Sequence, residues 1–159
     1  MADPVVRPVD ADVDLHVPEM QDELRPSRWP VLAAISAGGV VGSLARHGLQ
    51  QAFPHGPDGF GWATFAVNVS GSLLIGALMV LVTEVWTGRR LLRPFLGVGV
   101  LGGYTTFSAY AIDIQQAVTA GAVPTALASL AATLAGALGA VWLGVALAGR
   151  AVRHRVAVR

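Results

Sequence analysis

Hydrophobic residues run along the chain in four long blocks separated by short polar segments. The blocks cover about 30–51, 62–86, 92–119 and 122–149. Each is longer than the roughly 20 helical residues that cross a hydrocarbon core of about 30 Å. The pattern predicts four transmembrane helices and an all-α membrane protein. The segments between the blocks carry turn chemistry: Phe53–Gly61 (FPHGPDGFG), Thr87–Pro94 (TGRRLLRP) and Thr119–Pro124 (TAGAVP). Trp29, Trp62, Trp86 and Trp142 fall near block ends, where indole rings favour the membrane interface. Such a bundle leaves little room for an aqueous domain, so the function is expected within the membrane.

The polar and small positions inside the blocks refine this picture. In the fourth block Ala128, Ala132, Gly136, Ala140, Gly144 and Ala148 recur every four residues, and Gly38 and Gly42 do so in the first. Small residues let lipid-embedded helices approach closely, so both rows predict helix packing. In the second block Thr64, Asn68, Ser72 and Gly76 share one face. An asparagine amide in hydrocarbon needs partners, at a cost of several kcal/mol if it has none. Interhelical hydrogen bonding and the lining of a polar pathway both answer that need. Thr125, Ser129 and Thr133 are again four apart, and hydroxyls so placed bond back to the preceding turn. The third block holds GVLGGYTTFSAY, Gly99 to Tyr110. Paired glycines and paired β-branched threonines weaken a helix there. The stretch is either a glycine kink against a neighbour or a helix broken at mid-membrane. A break frees backbone groups, tolerated at that depth only in a protein-lined or cavity-lining site, where carbonyl ends hold cations and amide ends anions.

Composition agrees with the membrane reading: 159 residues are 53% hydrophobic and 13% charged, with a mean hydropathy of +0.57. The chain has neither cysteine nor lysine, which excludes thiol chemistry, disulfides, a P-loop lysine and Schiff bases. No nucleophile–base pair or metal cluster is evident, so the protein is expected not to be an enzyme, and nothing points to nucleic acid. Residues 1–29 are acidic and contain proline, and predict a disordered cytoplasmic tail rather than a signal peptide. Residues 150–159 form a basic cytoplasmic C-terminal tail, leaving 30–149 as the membrane domain. Ten of the eleven arginines lie in the first tail, the second connection or the last tail. Four spans place these segments on one side, and the positive-inside rule puts both termini in the cytoplasm of a multi-pass cell-membrane protein. Only Arg46 falls toward the other side. A small proton-coupled multidrug exporter, the competing class, needs a membrane-embedded carboxylate. Only Glu84, near a span end, and Asp113 are available.

Three motifs in order are similar to one family. GGVVGSLARH (Gly38–His47), ATFAVNVSGSLLIG (Ala63–Gly76) and GVLGGYTTFSAY resemble the CrcB/Fluc family of fluoride channels over roughly residues 31–149. The resemblance implies a fluoride-selective channel that passively exports cytoplasmic fluoride and protects against its toxicity. It implies an antiparallel dual-pore dimer with a structural sodium ion (Na+) at its centre. By motif position, the sodium-holding carbonyls belong to Gly102 and Thr105. The fluoride pathway falls to Asn68, Phe107, Ser108, Tyr110, Ser129 and Thr133, and the vestibule arginine to Arg46. Tyr110 stands where the family usually has phenylalanine, and Ala63 where glycine is usual. These residues suit a small, strongly hydrated anion: Asn68 carries two N–H donors, the serines and threonine carry hydroxyls, and aromatic rings have a positive edge. Many family members insert in both orientations. The ten-to-one arginine bias here instead implies insertion mostly one way, with an oppositely oriented homologue as partner in a heterodimer.

Overall fold

The structure is a computed structural model that describes residues 28–86 and 88–157. Apart from Arg28 and Trp29, the expected acidic tail lies outside the described residues. Every regular element among the described residues is helical: α1 (Arg28–Ala52), α2 (Trp62–Glu84), α3 (Arg93–Leu101), α4 (Gly102–Tyr104), α5 (Phe107–Thr119) and α6 (Val123–Ala157). α3 is wound as a π-helix with Pro94 in its first turn. Four helical runs are long and apolar enough to cross a membrane: Trp29–Ala52, Trp62–Glu84, Arg93–Thr119 and Val123–His154.

The helices pack as two parallel pairs, α1 with α3–α4 and α2 with α6, the pairs running in opposite directions. Glycine makes both pairings close. A Cβ on Gly42 would lie 2.8 Å from the Tyr104 amide nitrogen, and one on Gly99 would lie 2.7 Å from the Ile35 carbonyl oxygen. A Cβ on Gly144 would lie 3.0 Å from the Ala77 nitrogen. These neighbours are main chain, so the helix backbones touch, as small-residue membrane packing requires.

The every-fourth-residue ridge of α6 packs except at its start: a Cβ on Gly136 would lie 3.0 Å from Val69 Cγ2 of α2. Ala140, Gly144 and Ala148 are buried, but Ala128 is exposed. Nearer the start of α6 the buried stripe is Ala126, Ser129 and Thr133. Residues four apart drift about 40° around an α-helix at each step. A strict four-residue row therefore leaves the interface, and a mixed three–four spacing stays in it.

The α5–α6 connection ends α5 with Gly121 at φ 77°. Ala122 N–H donates to the Ala117 carbonyl at 2.8 Å and Gly121 N–H to that of Val118 at 3.0 Å. This is the helix-closing arrangement that needs a left-handed residue, hence glycine. α6 has 35 residues and does not stop at Gly149. At about 1.5 Å per residue it is about 52 Å long.

Candidate functional site

The helical path of the third span changes at two β-branched residues. Thr105 (φ −77°, ψ 156°) and Thr106 (φ −151°, ψ 121°) are extended, between the end of α4 and the start of α5. Thr106 caps α5: its hydroxyl accepts from the Ala109 N–H at 3.2 Å. The Thr106 main chain is met from α2. Its N–H donates to Asn68 Oδ1 and its carbonyl accepts from Asn68 Nδ2, each at 2.9 Å. The side-chain amide thus pairs with Thr106 as a peptide group on a neighbouring strand would, satisfying two groups that no helix serves. One of the two Asn68 N–H donors is therefore committed to backbone. The other has no partner among the hydrogen bonds described, and Asn68 helps to line a cavity.

On the opposite side Arg46 reaches in from α1. Its Nη1 donates to the Thr105 carbonyl at 3.2 Å. Ser43 Oγ donates to the Gly103 carbonyl at 3.5 Å, and Ser70 Oγ lies 3.0 Å from the Tyr104 hydroxyl. Arg46 is thus half-buried against α4 and is not a free charge at the end of its span.

A cavity of about 420 Å³ opens between α2, the third span and α6. Asn68, Thr105, Phe107, Tyr110 and Thr133 line it, with Ser72 and Thr106. Among the described residues, no Asp, Glu, Lys, Arg or His lines it. A second cavity of about 10 Å³ shares Tyr110 and Thr133 with it and is also lined by Thr64, Ser129 and Asp113. Phe60 and Phe65 wall this smaller space, with their ring centroids 5.6 Å apart. Ser129 and Thr133 are both buried.

The predicted pathway residues thus divide. Asn68, Phe107, Tyr110 and Thr133 converge on the large cavity, and Ser129 lines the small one. Ser108 lines neither cavity. It is exposed, with its Oγ 3.2 Å from that of Thr106. Phe107 is 79% exposed on the single chain despite touching the cavity, and its ring centroid lies 5.7 Å from that of Tyr110. The Tyr110 hydroxyl donates to the Leu130 carbonyl on α6 at 3.1 Å. It is therefore engaged with backbone, and the ring is what Tyr110 offers the cavity. Tyr110→Phe is expected to keep ion flux through the cavity within about threefold of wild type and to lower stability by about 0.5–1.5 kcal/mol. Liposome flux and thermal denaturation in detergent measure the two. A tenfold or larger change in flux would place the hydroxyl itself on the path.

Thr106 is a candidate-site residue that sequence reasoning missed. Its signal was present, since a threonine just ahead of a helical run is an N-cap pattern.

The carbonyls of Gly102 and Thr105 bear on the implied sodium ion. The Thr106 and Ala109 amides, which an unbroken helix would turn onto these oxygens, bond to Asn68 Oδ1 and Thr106 Oγ1 instead. Main-chain oxygens released from a helix are a suitable donor set for a hard cation. Thr105 accepts from Arg46 with one lone pair and keeps a second. The residues fit the ion. Among the described residues no cluster of His, Cys, Asp or Glu offers another metal site.

Comparison with known proteins places this geometry in context. Residues 33–145 match the family model described as CrcB-like protein, Camphor Resistance (CrcB). The chain is 53% identical over 114 residues to fluoride-specific ion channel FluC 2 of Streptomyces avermitilis, covering 69% of this chain and 72% of the relative. It is 50% identical over 128 residues to fluoride-specific ion channel FluC 2 of Nocardia farcinica, covering 77% and 91%. With fluoride-specific ion channel FluC 2 of Thermobifida fusca the identity is 54% over 113 residues, covering 71% and 84%.

Proposed function

Because the chain belongs to the CrcB-like family, we propose that it is a fluoride channel whose path follows the two cavities. The observation that carries this is the large cavity itself. Among the described residues it is lined by amide, hydroxyl, aromatic and aliphatic groups and by no charge. Fluoride gives up water there for N–H and O–H donors from Asn68, Ser72, Thr106 and Thr133, with Phe107 and Tyr110 supplying ring edges. A fixed arginine on the path would hold the anion, whereas conduction needs binding weak enough to leave. Arg46 is instead tied to the Thr105 carbonyl. Ser129 extends the hydroxyl line toward Asp113. Flux down the fluoride gradient empties the cytoplasm passively and protects the cell.

The finer architecture is part of the proposal. Thr105–Thr106 is the mid-membrane break of the third span, and the Gly102 and Thr105 carbonyls hold a sodium ion at the centre of an antiparallel dimer. The exposure of Phe107, Ser108 and Gly102 on the single chain supports a partner subunit that covers them. The arginine-rich end, formed by the start of α1, the α2–α3 connection and the end of α6, faces the cytoplasm. Its one-sided charge favours an oppositely oriented homologue as the partner. Relatives numbered 2 and 3 in Streptomyces avermitilis support that arrangement.

The deciding experiment is fluoride efflux from liposomes, with the chain alone and with a candidate partner. Wild type is expected to empty the liposomes of fluoride but not of chloride. Phe107→Ile is expected to slow efflux at least about tenfold, the effect of a barrier raised by about 1.4 kcal/mol. No flux in either preparation would overturn the channel reading.

A further inference from the structure

The arginine-rich end of the bundle carries a groove that the ion path does not use. It lies where α1 meets the α2–α3 connection and the first turn of α3. Ala34, Leu91, Leu92 and Phe95 form its apolar surface, and Arg89 and Arg90 complete the lining of about 450 Å³. The connection is compact there. Arg89 N–H donates to the Trp86 carbonyl at 3.0 Å, Leu92 N–H to that of Arg89 at 3.1 Å, and Phe95 N–H to that of Leu91 at 2.9 Å. Pro94 sits in the first turn of α3, where its fixed φ stiffens the entry to the helix. Both arginines are exposed, Leu91 is 43% exposed, and Leu92 and Phe95 are half-buried.

Two properties set this groove apart from the other apolar surfaces of the bundle. The first is charge of one sign. Among the described residues no acid lines it, and Glu84, the nearest acid in sequence, closes α2. Arg93, exposed at the head of α3, adds a third guanidinium at this end. Among the described residues no ion pair engages Arg89 or Arg93. The second is depth. Arg89 and Arg90 stand just before the third span, Arg93–Thr119, whereas Phe95 lies within it and Ala34 within the first, Trp29–Ala52. Trp29, 80% exposed, begins α1 at the same end, at the level where indole rings favour the interface. The groove therefore passes from headgroup depth into hydrocarbon, charged at one end and apolar at the other.

We propose that this groove binds an anionic phospholipid of the leaflet at that end. Its phosphate sits on Arg89 and Arg90, and one acyl chain runs along Leu91, Phe95 and Ala34. A guanidinium is planar, always charged, and meets a phosphate with paired N–H donors. Basic pockets between membrane helices at the surface hold anionic headgroups in this way. A zwitterionic lipid brings a cationic amine to the same arginines and loses that advantage. A free phosphate would satisfy the arginines and leave the apolar surface uncovered. Lipid already surrounds the spans at this depth, which favours it over residues 1–27 or a second copy of the chain. The site does not depend on which ion the chain conducts.

The full chain in detergent is mixed with phosphatidylglycerol or phosphatidylcholine, and retained lipid is counted by native mass spectrometry. One arginine at an anionic surface gives roughly a fivefold preference. Phosphatidylglycerol is therefore expected to be retained at least about fivefold more than phosphatidylcholine. The double variant Arg89→Gln, Arg90→Gln is expected to lose that preference. Arg150→Gln, Arg153→Gln removes the same charge from the end of α6, which packs on α2 and α5 and does not line the groove. It is expected to keep the preference. Excess inorganic phosphate is expected not to displace the lipid. Equal losses in the two double variants would reduce the preference to general surface charge and overturn the site. Displacement by phosphate, retention only after residues 1–27 are removed, or retention by monomer but not by dimer would each overturn it, by making a free anion, the acidic tail or a second subunit the occupant. None of these readouts involves ion flux, so failure of the site leaves the channel reading standing.

Discussion

Asn68→Asp is expected to cut fluoride flux at least about 100-fold, equivalent to about 2.7 kcal/mol of barrier. Aspartate keeps the acceptor that the Thr106 N–H needs. It cannot donate to the Thr106 carbonyl, which Asn68 Nδ2 now serves at 2.9 Å. Two oxygens would face each other there, and leaving that buried carbonyl unsatisfied costs about 1–3 kcal/mol. The new negative charge would border the large cavity and oppose an anion within it. Asn68→Ala removes both hydrogen bonds without adding charge. It is expected to lower thermal stability as well as flux, since the Thr106 N–H and carbonyl then both lack a partner. Efflux from liposomes, with monodispersity checked in detergent, separates these effects. An Asn68→Asp protein that conducts like wild type would remove Asn68 from both roles.

Gly42→Ala is expected to destabilise the bundle markedly, although it adds a single methyl group. The added Cβ would meet the Val100 carbonyl oxygen and lie 2.8 Å from the Tyr104 nitrogen and 2.9 Å from the Val100 carbonyl carbon. Main-chain atoms cannot rotate aside, so α1 would have to move away from α3 and α4. Overpacking of this kind costs about 1–3 kcal/mol. Separation would also pull Arg46 from Thr105 and Ser43 from Gly103. Gly48→Ala, in the same helix, meets nothing within 4 Å. It is expected to be neutral or to gain up to about 1 kcal/mol from helix propensity. Size-exclusion profiles after graded heating measure both. Equal behaviour of the two variants would show that the α1–α3 approach is looser than described.

The spans were legible because membrane length and hydropathy act on local sequence. The blocks near 30–51 and 62–86 correspond to Arg28–Ala52 and Trp62–Glu84. Asn68 announced itself as an amide that hydrocarbon would not leave alone. Its partner did not, because Thr106 lies 38 residues away and no local rule links the two. The small-residue ridge of α6 misled only at its start, where Ala128 is exposed, because a tidy repeat of four is not the helical period. Asp113 was visible as an acid inside a span. His55, whose Nε2 lies 3.7 Å from Asp113 Oδ1, sits in a turn segment that looked like punctuation alone. Tyr110 was legible as a departure from the usual phenylalanine, but the partner of its hydroxyl, the Leu130 carbonyl 20 residues on, was not.

α6 is longer than any membrane it would cross. With a hydrocarbon core of about 30 Å, some 20 Å of its roughly 52 Å length must overhang or tilt. α2, at 23 residues, has little such excess. A thinner bilayer would be accommodated on α6 by letting more of its arginine-bearing end slide into the headgroups, without bending the helix. The short span, not the long one, would feel hydrophobic mismatch. Sensitivity to lipid chain length is therefore set by α2, the helix that carries Asn68, which ties bilayer thickness to the position of the amide that holds Thr106.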